Sequence, residues 1–308
     1  MRSEPRVAFV TDALPSLGGS EKVLFAALEA IPQADVFTLV YNRAAFAGTP
    51  LAGRHVHTSI LDKFPWAHRN HRILLPLMPA AIQGFDLREY DVVVSFSYAV
   101  AHGARAAVGA RHVSYTYTPM RYAWNGMNMR GERKPKNAVL GLILAAFRAW
   151  DRRAADDVDR FAAVSRFIAG RVRAAYLREA EVMYPPVEVD RFSATASRAE
   201  YYVTVSRLVA HKRVELIVEA FTRLGLSLLV IGEGPELPRL RKLAGANVRF
   251  CGFVPDEEMA GILSRARGFV AASEEDFGIA IVEAQAAGCP VIAYAQGGAL
   301  ETVIEGRT

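Results

Sequence analysis

Two carboxylates bracket a glycine in the run Glu275-Asp276-Phe277-Gly278-Ile279-Ala280-Ile281-Val282-Glu283. The run follows a strand-like stretch and opens a helix-like one. A helix start presents unpaired backbone N–H groups and the positive end of the helix dipole, which suits a diphosphate. Gly278 leaves room for an oxygen to approach the backbone closely. Glu283 falls about five residues into the helix, on the order of 7 Å along its axis. That offset fits the step from a phosphate to its ribose, and a carboxylate there can accept from both ribose hydroxyls. Glu275, ahead of the helix, can reach the other side of the phosphates, where a transferred sugar would lie.

A second set is Ser206-Arg207-Leu208 followed by Lys212. Arg207 comes just past a strand end and Lys212 just before a helix. When a bond to phosphate breaks, charge gathers on the leaving group, and fixed cations can stabilise it without a metal. A guanidinium forks onto two oxygens, while an ammonium acts as a point charge. The plainer readings are solvated cations, a loop carboxylate in the Glu274–Asp276 cluster, and a solvent-facing Glu283.

Other patterns carry less. Gly232-Glu233-Gly234 begins like a dinucleotide fingerprint, but Pro235 follows at once and a third spaced glycine is missing. Asp157-Val158-Asp159 has the form of a metal-binding pair, yet at a helix end before a strand, capping and surface roles are the commoner ones. His102 follows a strand and either lines a cleft or sits on the surface. Arg121, Tyr122 and Trp124 form an aromatic–basic patch that could stack on a sugar or be a packed loop.

Short apolar strands alternating with helices must position these groups. Strands are expected over 6–11, 35–40, 91–96, 112–116, 160–164 and 181–184, with helices at 20–31 (Ser20 as N-cap), 139–157 and 166–178. Pro185-Pro186 breaks the pattern, so a domain boundary is placed there, giving domains 1–187 and 188–308. The alternation restarts with strands at 201–205, 226–231, 248–252, 268–272 and 290–294, and helices at 213–224, 236–243, 256–265 and 278–287. The expected class is α/β, two doubly wound halves facing across a cleft, with ligands outside the carboxyl ends of the strands.

The bulk properties agree with this. The 308 residues are 52% hydrophobic, which fits a globular chain and excludes a disordered one. A net charge of +5 suits anionic small molecules or an anionic membrane surface and does not point to nucleic acid. Cys251 and Cys289 lack metal-ligand spacing, as expected of free thiols in a reducing cytoplasm. No run reaches the ~18–20 apolar residues of a membrane span, and the start of the chain has no signal-peptide pattern. Residues 138–147 are apolar between Lys134, Lys136 and Arg148, Arg152, Arg153. A core helix is the commoner explanation, and peripheral contact with the inner face of the plasma membrane is the other.

Taken in order, these residues resemble the retaining glycosyltransferase family 4 with its two-domain GT-B fold. The shared pieces are the E-x7-E pair, the Ser-Arg-Leu…Lys segment, the Gly232-Glu233-Gly234-Pro235 loop, the Gly252-Phe253-Val254 turn and Gly288-Cys289-Pro290-Val291-Ile292-Ala293. Gly18-Gly19-Ser20-Glu21 and Thr118-Pro119-Met120-Arg121-Tyr122 are similar to a mannosyltransferase-like branch serving bacterial surface polysaccharides. The resemblance implies that Arg207 and Lys212 bind the donor diphosphate, with Phe277 alongside and Gly278 and Ile279 giving backbone N–H groups. Glu283 would hold the ribose, Glu275 the donor sugar and Val254 the base, while Gly18 and Gly19 close over the phosphates. It also implies front-face transfer with retention, neither cofactor nor essential metal, a nucleotide diphosphate sugar donor (GDP-mannose favoured), and a glycan or lipid-linked acceptor. Two departures stand out: Tyr117 occupies the place of a histidine near the donor sugar, and the chain ends at Thr308 where relatives continue, so a truncated C-terminal domain is expected. An epimerase-like enzyme of this fold and a non-catalytic nucleotide-sugar binder are the rival readings.

Overall fold

The computed structural model describes residues 4–124, 138–195 and 197–308. The chain divides into two compact units, the first ending at Pro186 and the second beginning at Val187.

The first unit is built on seven parallel strands: β1 (Val7–Thr11), β2 (Asp35–Thr38), β3 (Val56–Thr58), β4 (Val92–Ser97), β5 (Arg111–Thr116), β6 (Arg160–Ala163) and β7 (Ala180–Val182). Their order is β3-β2-β1-β4-β5-β6-β7. Strands covered on both faces read as unbroken apolar runs, and β1 is buried along its whole length. The order reverses between β1 and β4, so their carboxyl ends form the topological switch point of this sheet. The helices are α1 (Gly19–Ala30), α2 (Ala67–Asn70), α3 (Met78–Gln83), α4 (Arg121–Trp124), α5 (Ala138–Asp156) and α6 (Arg166–Tyr176).

Three expectations change here. Gly18, not Ser20, caps α1; Ser20 lies inside the helix and donates to Glu21 Oε1 at 2.8 Å. Between β2 and β4, where patterning shows no element, the chain forms β3, α2, α3 and 3-10 turns at Arg43–Phe46, Ile60–Lys63 and His71–Leu77. Pro65, Pro76 and Pro79 break any 3.6-residue period there, and Pro76 stands inside a 3-10 turn. The first half of α5 is not a core helix: Val139 is 67% and Leu142 73% exposed, and burial begins only around Asp151, Ala154 and Ala155. Lys134 and Lys136, expected to flank it, lie outside the described residues.

The second unit holds five parallel strands: β8 (Tyr201–Val205), β9 (Ser227–Ile231), β10 (Val248–Gly252), β11 (Gly268–Ala271) and β12 (Val291–Ala293), in the order β10-β9-β8-β11-β12. Its helices are α7 (Val214–Leu224), α8 (Leu237–Leu243), α9 (Asp256–Arg265), α10 (Ile279–Ala286) and α11 (Ala299–Thr302). Alternate residues of β9 serve opposite faces: Leu229 and Ile231 join one apolar cluster, Leu228 and Val230 the other. Here the reversal falls between β8 and β11. Among the described residues no helix is long and apolar enough to cross a membrane.

Candidate functional site

The switch point of the second sheet gathers the residues singled out from the sequence. Lys212 leaves the β8 side in a 3-10 turn (Ala210–Lys212), and Glu275 follows β11. Lys212 Nζ donates to Glu275 Oε2 at 2.6 Å, and Ser273 Oγ donates to Glu275 Oε1 at 2.6 Å. Both carboxylate oxygens are therefore fixed. The next residue after Lys212, Arg213, is left-handed (φ 52°), a conformation that costs a side-chain-bearing residue roughly 1–2 kcal/mol. Such a turn beside Lys212 is held by its surroundings, and it starts α7 directly after the lysine.

Arg207 stands at the carboxyl end of β8, exposed, with no side-chain hydrogen bond or ion pair among the described residues. Its backbone is clamped by the glycine loop after β9. Leu208 N donates to Glu233 O at 2.8 Å and Ser206 N to Ile231 O at 3.0 Å. A Cβ on Gly232 (φ 126°) would lie 2.0 Å from Ser206 O, and one on Gly234 2.2 Å from Leu208 O. The Gly-Glu-Gly run thus exists for close approach to the Arg207 segment, which accounts for it without a dinucleotide.

Gly278 caps α10 in the left-handed region (φ 94°), with Phe277 and Ile279 half-buried on either side. Gly298 N donates to Glu275 O at 2.6 Å, which ties the loop before α10 to the start of α11. Glu283 is buried on α10 and receives Arg191 Nη2 on Oε1 at 2.6 Å. Sequence reasoning missed both Arg191 and Ser273: Arg191 is 92 positions away, and Ser273 is a small residue inside an acidic loop. The expected base-facing role of Val254 is corrected. Its side chain belongs to the apolar cluster with Phe192 and Met259, and the neighbour Phe253 is the exposed one, because Gly252 (φ 69°) turns the chain at the end of β10.

The switch point of the first sheet is organised by Asp12, which the sequence did not reveal. Its Oδ2 accepts from Tyr98 N and Ala99 N at 2.7 and 2.9 Å, and its Oδ1 from Val100 N and Ala101 N at 2.5 and 2.8 Å. Burial raises its pKa against those four N–H groups, which pull it down. Nearby, Tyr117 Oη donates to Ser20 O at 2.7 Å, joining the Thr118-Pro119 segment to the first turn of α1. Burial, then the charge of Glu21, raises the Tyr117 phenol well above its ordinary value. Tyr117 therefore holds the Gly18-Gly19-Ser20 helix start, and a Cβ on Gly18 would lie 3.0 Å from Glu21 Oε2.

His102 lies neither on a cleft wall nor on the surface: it is 2% exposed. Nδ1 lies 3.0 Å from Ser97 Oγ, and Nε2 makes a 3.2 Å ion-pair contact with Asp151 Oδ1 whose angle falls outside hydrogen-bond geometry. Burial pulls its pKa down, but Asp151 outweighs it and the net shift is upward. Asp151 Oδ2 also accepts Trp124 Nε1 at 2.5 Å, and Arg152 stacks 4.8 Å from the Trp124 ring. The aromatic side of the Arg121–Trp124 patch is thus a packed loop, and Arg121 N donates to Tyr98 O at 3.4 Å. Asp159 Oδ2 accepts His112 N at 2.7 Å, a capping role. Among the described residues, no group of three or more His, Cys, Asp or Glu could hold a metal ion. Cys251 and Cys289 are free.

Residues 17–191 match Glycosyltransferase Family 4, and residues 188–308 match Glycosyl transferases group 1. The chain belongs to glycosyltransferase family 4. A GDP-mannose-dependent alpha-(1-6)-phosphatidylinositol monomannoside mannosyltransferase of Mycolicibacterium smegmatis is 33% identical over 199 residues, covering 54% of this chain and 52% of that protein. The chain spans about half the length of the curated relatives it matches. Among solved structures it is similar to Anabaena Alr3699/HepE in complex with UDP and glucose (TM-score 0.68, 17% identity, 98% of this chain and 84% of that one). It is also similar to sucrose-phosphate synthase from Thermosynechococcus elongatus (TM-score 0.70, 18% identity, 97% and 84%). These likenesses concern the fold, and this family 4 chain is of the GT-B class.

Proposed function

We propose that the chain transfers a hexose from a nucleoside diphosphate sugar to a glycan or lipid-linked acceptor, with retention at the anomeric carbon and without an essential metal. The observation that carries this is the Lys212–Glu275 pair (Nζ to Oε2, 2.6 Å) at a switch point, beside Arg207 and the helix start at Gly278. An ammonium has three donors, so Lys212 can hold Glu275 and a phosphate oxygen together. Lys212, Arg207 and the first N–H groups of α10 supply positive charge where the diphosphate leaves. Glu275, its plane set by Ser273 and Lys212, orients sugar hydroxyls. As the bond from the anomeric carbon to phosphate breaks, the acceptor oxygen bonds to the same face, and its proton passes to the departing diphosphate oxygen.

GDP-mannose is the favoured donor because the mycobacterial relative is named for it; the structural relative with UDP and glucose keeps UDP-sugars in the comparison. The exposed Val139, Leu142 and Ile143 of α5 support contact with the membrane that would carry a lipid-linked acceptor. The test is turnover of GDP-mannose and UDP-glucose, with and without EDTA, using NMR to assign the product anomer. Retained configuration and unchanged rate in EDTA are expected. An inverted product, loss of turnover in EDTA, or isomerisation of the donor without acceptor would overturn the reading.

A further inference from the structure

Arg191 closes a single 3-10 turn, Val189–Arg191, just after the start of the second unit. Its guanidinium joins two elements far along the chain. Nη2 donates to Glu283 Oε1 at 2.6 Å on α10, and Nη1 to Asp256 Oδ2 in the first turn of α9. Its Cζ lies 4.6 Å from the ring of Phe192, which is itself part of the core. The Arg191 and Glu283 side chains are 19% and 11% exposed. Nε is buried with no acceptor, so the fork is placed for the two carboxylates and not for its own full satisfaction.

We propose that Arg191 is a positioning residue for nucleotide ribose, acting through Glu283; the inference rests on the reading of Glu283 given above. A carboxylate that accepts from two neighbouring hydroxyls needs its plane and rotamer set. Glu283 sits among Ile281 and Ala284, which can pack against it but cannot orient it. A planar, permanently charged guanidinium can do so, and it offsets the burial of the charge. Lysine cannot reproduce this, because it offers a point charge in place of a fork held at both ends.

Calorimetric titration of the 308-residue chain with GDP and 2′-deoxy-GDP, repeated with UDP and 2′-deoxy-UDP, tests this. A lost hydrogen bond to a charged group costs roughly 10- to 100-fold in affinity, so the wild type should prefer the ribonucleotide by about that factor. Arg191→Ala should bring the ratio close to one, and Arg191→Lys should fall between. Asp256→Asn, which frees the far end of the fork, should change the ratio by only a few-fold. Equal weakening of ribo- and deoxyribonucleotide by Arg191→Ala would show a structural pin alone and overturn the proposal, as would unchanged binding. A wild type without ribose preference would remove the Glu283 reading and the proposal with it, whereas a wild type that binds no nucleotide would remove the diphosphate site. Should Arg191→Ala fail to fold by melting, the Arg191→Lys ratio decides the matter.

Discussion

Replacing Lys212 by alanine removes the ammonium that lies 2.6 Å from Glu275 Oε2. A unit charge about 4 Å from a phosphate oxygen contributes about 4 kcal/mol at an effective dielectric of 20. The lysine side chain is 26% exposed, and water screening lowers this to about 3 kcal/mol. At ~1.4 kcal/mol per tenfold, donor kcat/KM should drop roughly 100-fold. A second loss adds to it. Glu275 keeps its Ser273 hydrogen bond at 2.6 Å but loses its counter-charge, so it repels the diphosphate. Lys212→Ala with Glu275→Gln should therefore bind GDP more tightly than Lys212→Ala alone, while turnover stays low. The assays are initial-rate kinetics and GDP titration on proteins shown to be folded by circular dichroism. Activity of Lys212→Ala within tenfold of wild type, or a double variant binding GDP more weakly than the single one, would refute the reasoning.

Asp12→Asn leaves one atom able to accept, so two of the four loop N–H groups lose their partner; a loss of about 2–4 kcal/mol is expected in urea unfolding, with Asp12→Glu no better because its longer arm displaces the loop. The two buried histidines predict opposite pH limbs in thermal melting. Burial pushes the His112 pKa down to about 4, so stability present above the ordinary 6.5 should fall by about 3 kcal/mol as pH drops from 6.5 to 4, and His112→Gln should flatten that limb. The raised His102 pKa acts the other way: its contribution is whole below 6.5 and disappears as pH climbs through the higher folded value, a limb that Asp151→Asn should remove.

Much of the fold was legible because parallel strands covered on both faces carry near-continuous apolar runs. Residues 7–11 and 92–97 read as strands without reference to anything else, and the second unit's five strands all lie within the expected runs. Between β2 and β4 that signal fails, since three-residue β3 is too short to show a period and three prolines interrupt the rest. Position along a strand was also a poor guide to burial. His102, two residues into the loop after a strand-end serine pair, could be inward or outward, and only Asp151 on α5 decides it. The apolar start of α5 shows the reverse error, because hydrophobicity over ten residues does not say whether anything covers them.

The site divides along the same line. Glu275, Gly278 and Glu283 were visible because one loop and one helix carry them in register, so spacing alone implies geometry. Their supports were not visible, since Lys212 reaches Glu275 across 63 positions and Arg191 reaches Glu283 across 92. Those two ion pairs have a common logic: each places a cation against one acidic residue of the pair, at opposite ends of the α10 segment. A carboxylate beside a bound diphosphate is repelled unless its charge is matched locally. Compensation at both ends lets the segment keep two acidic groups for hydroxyl recognition while its helix start stays open to an anion, and that balance is what the donor site requires of this unit.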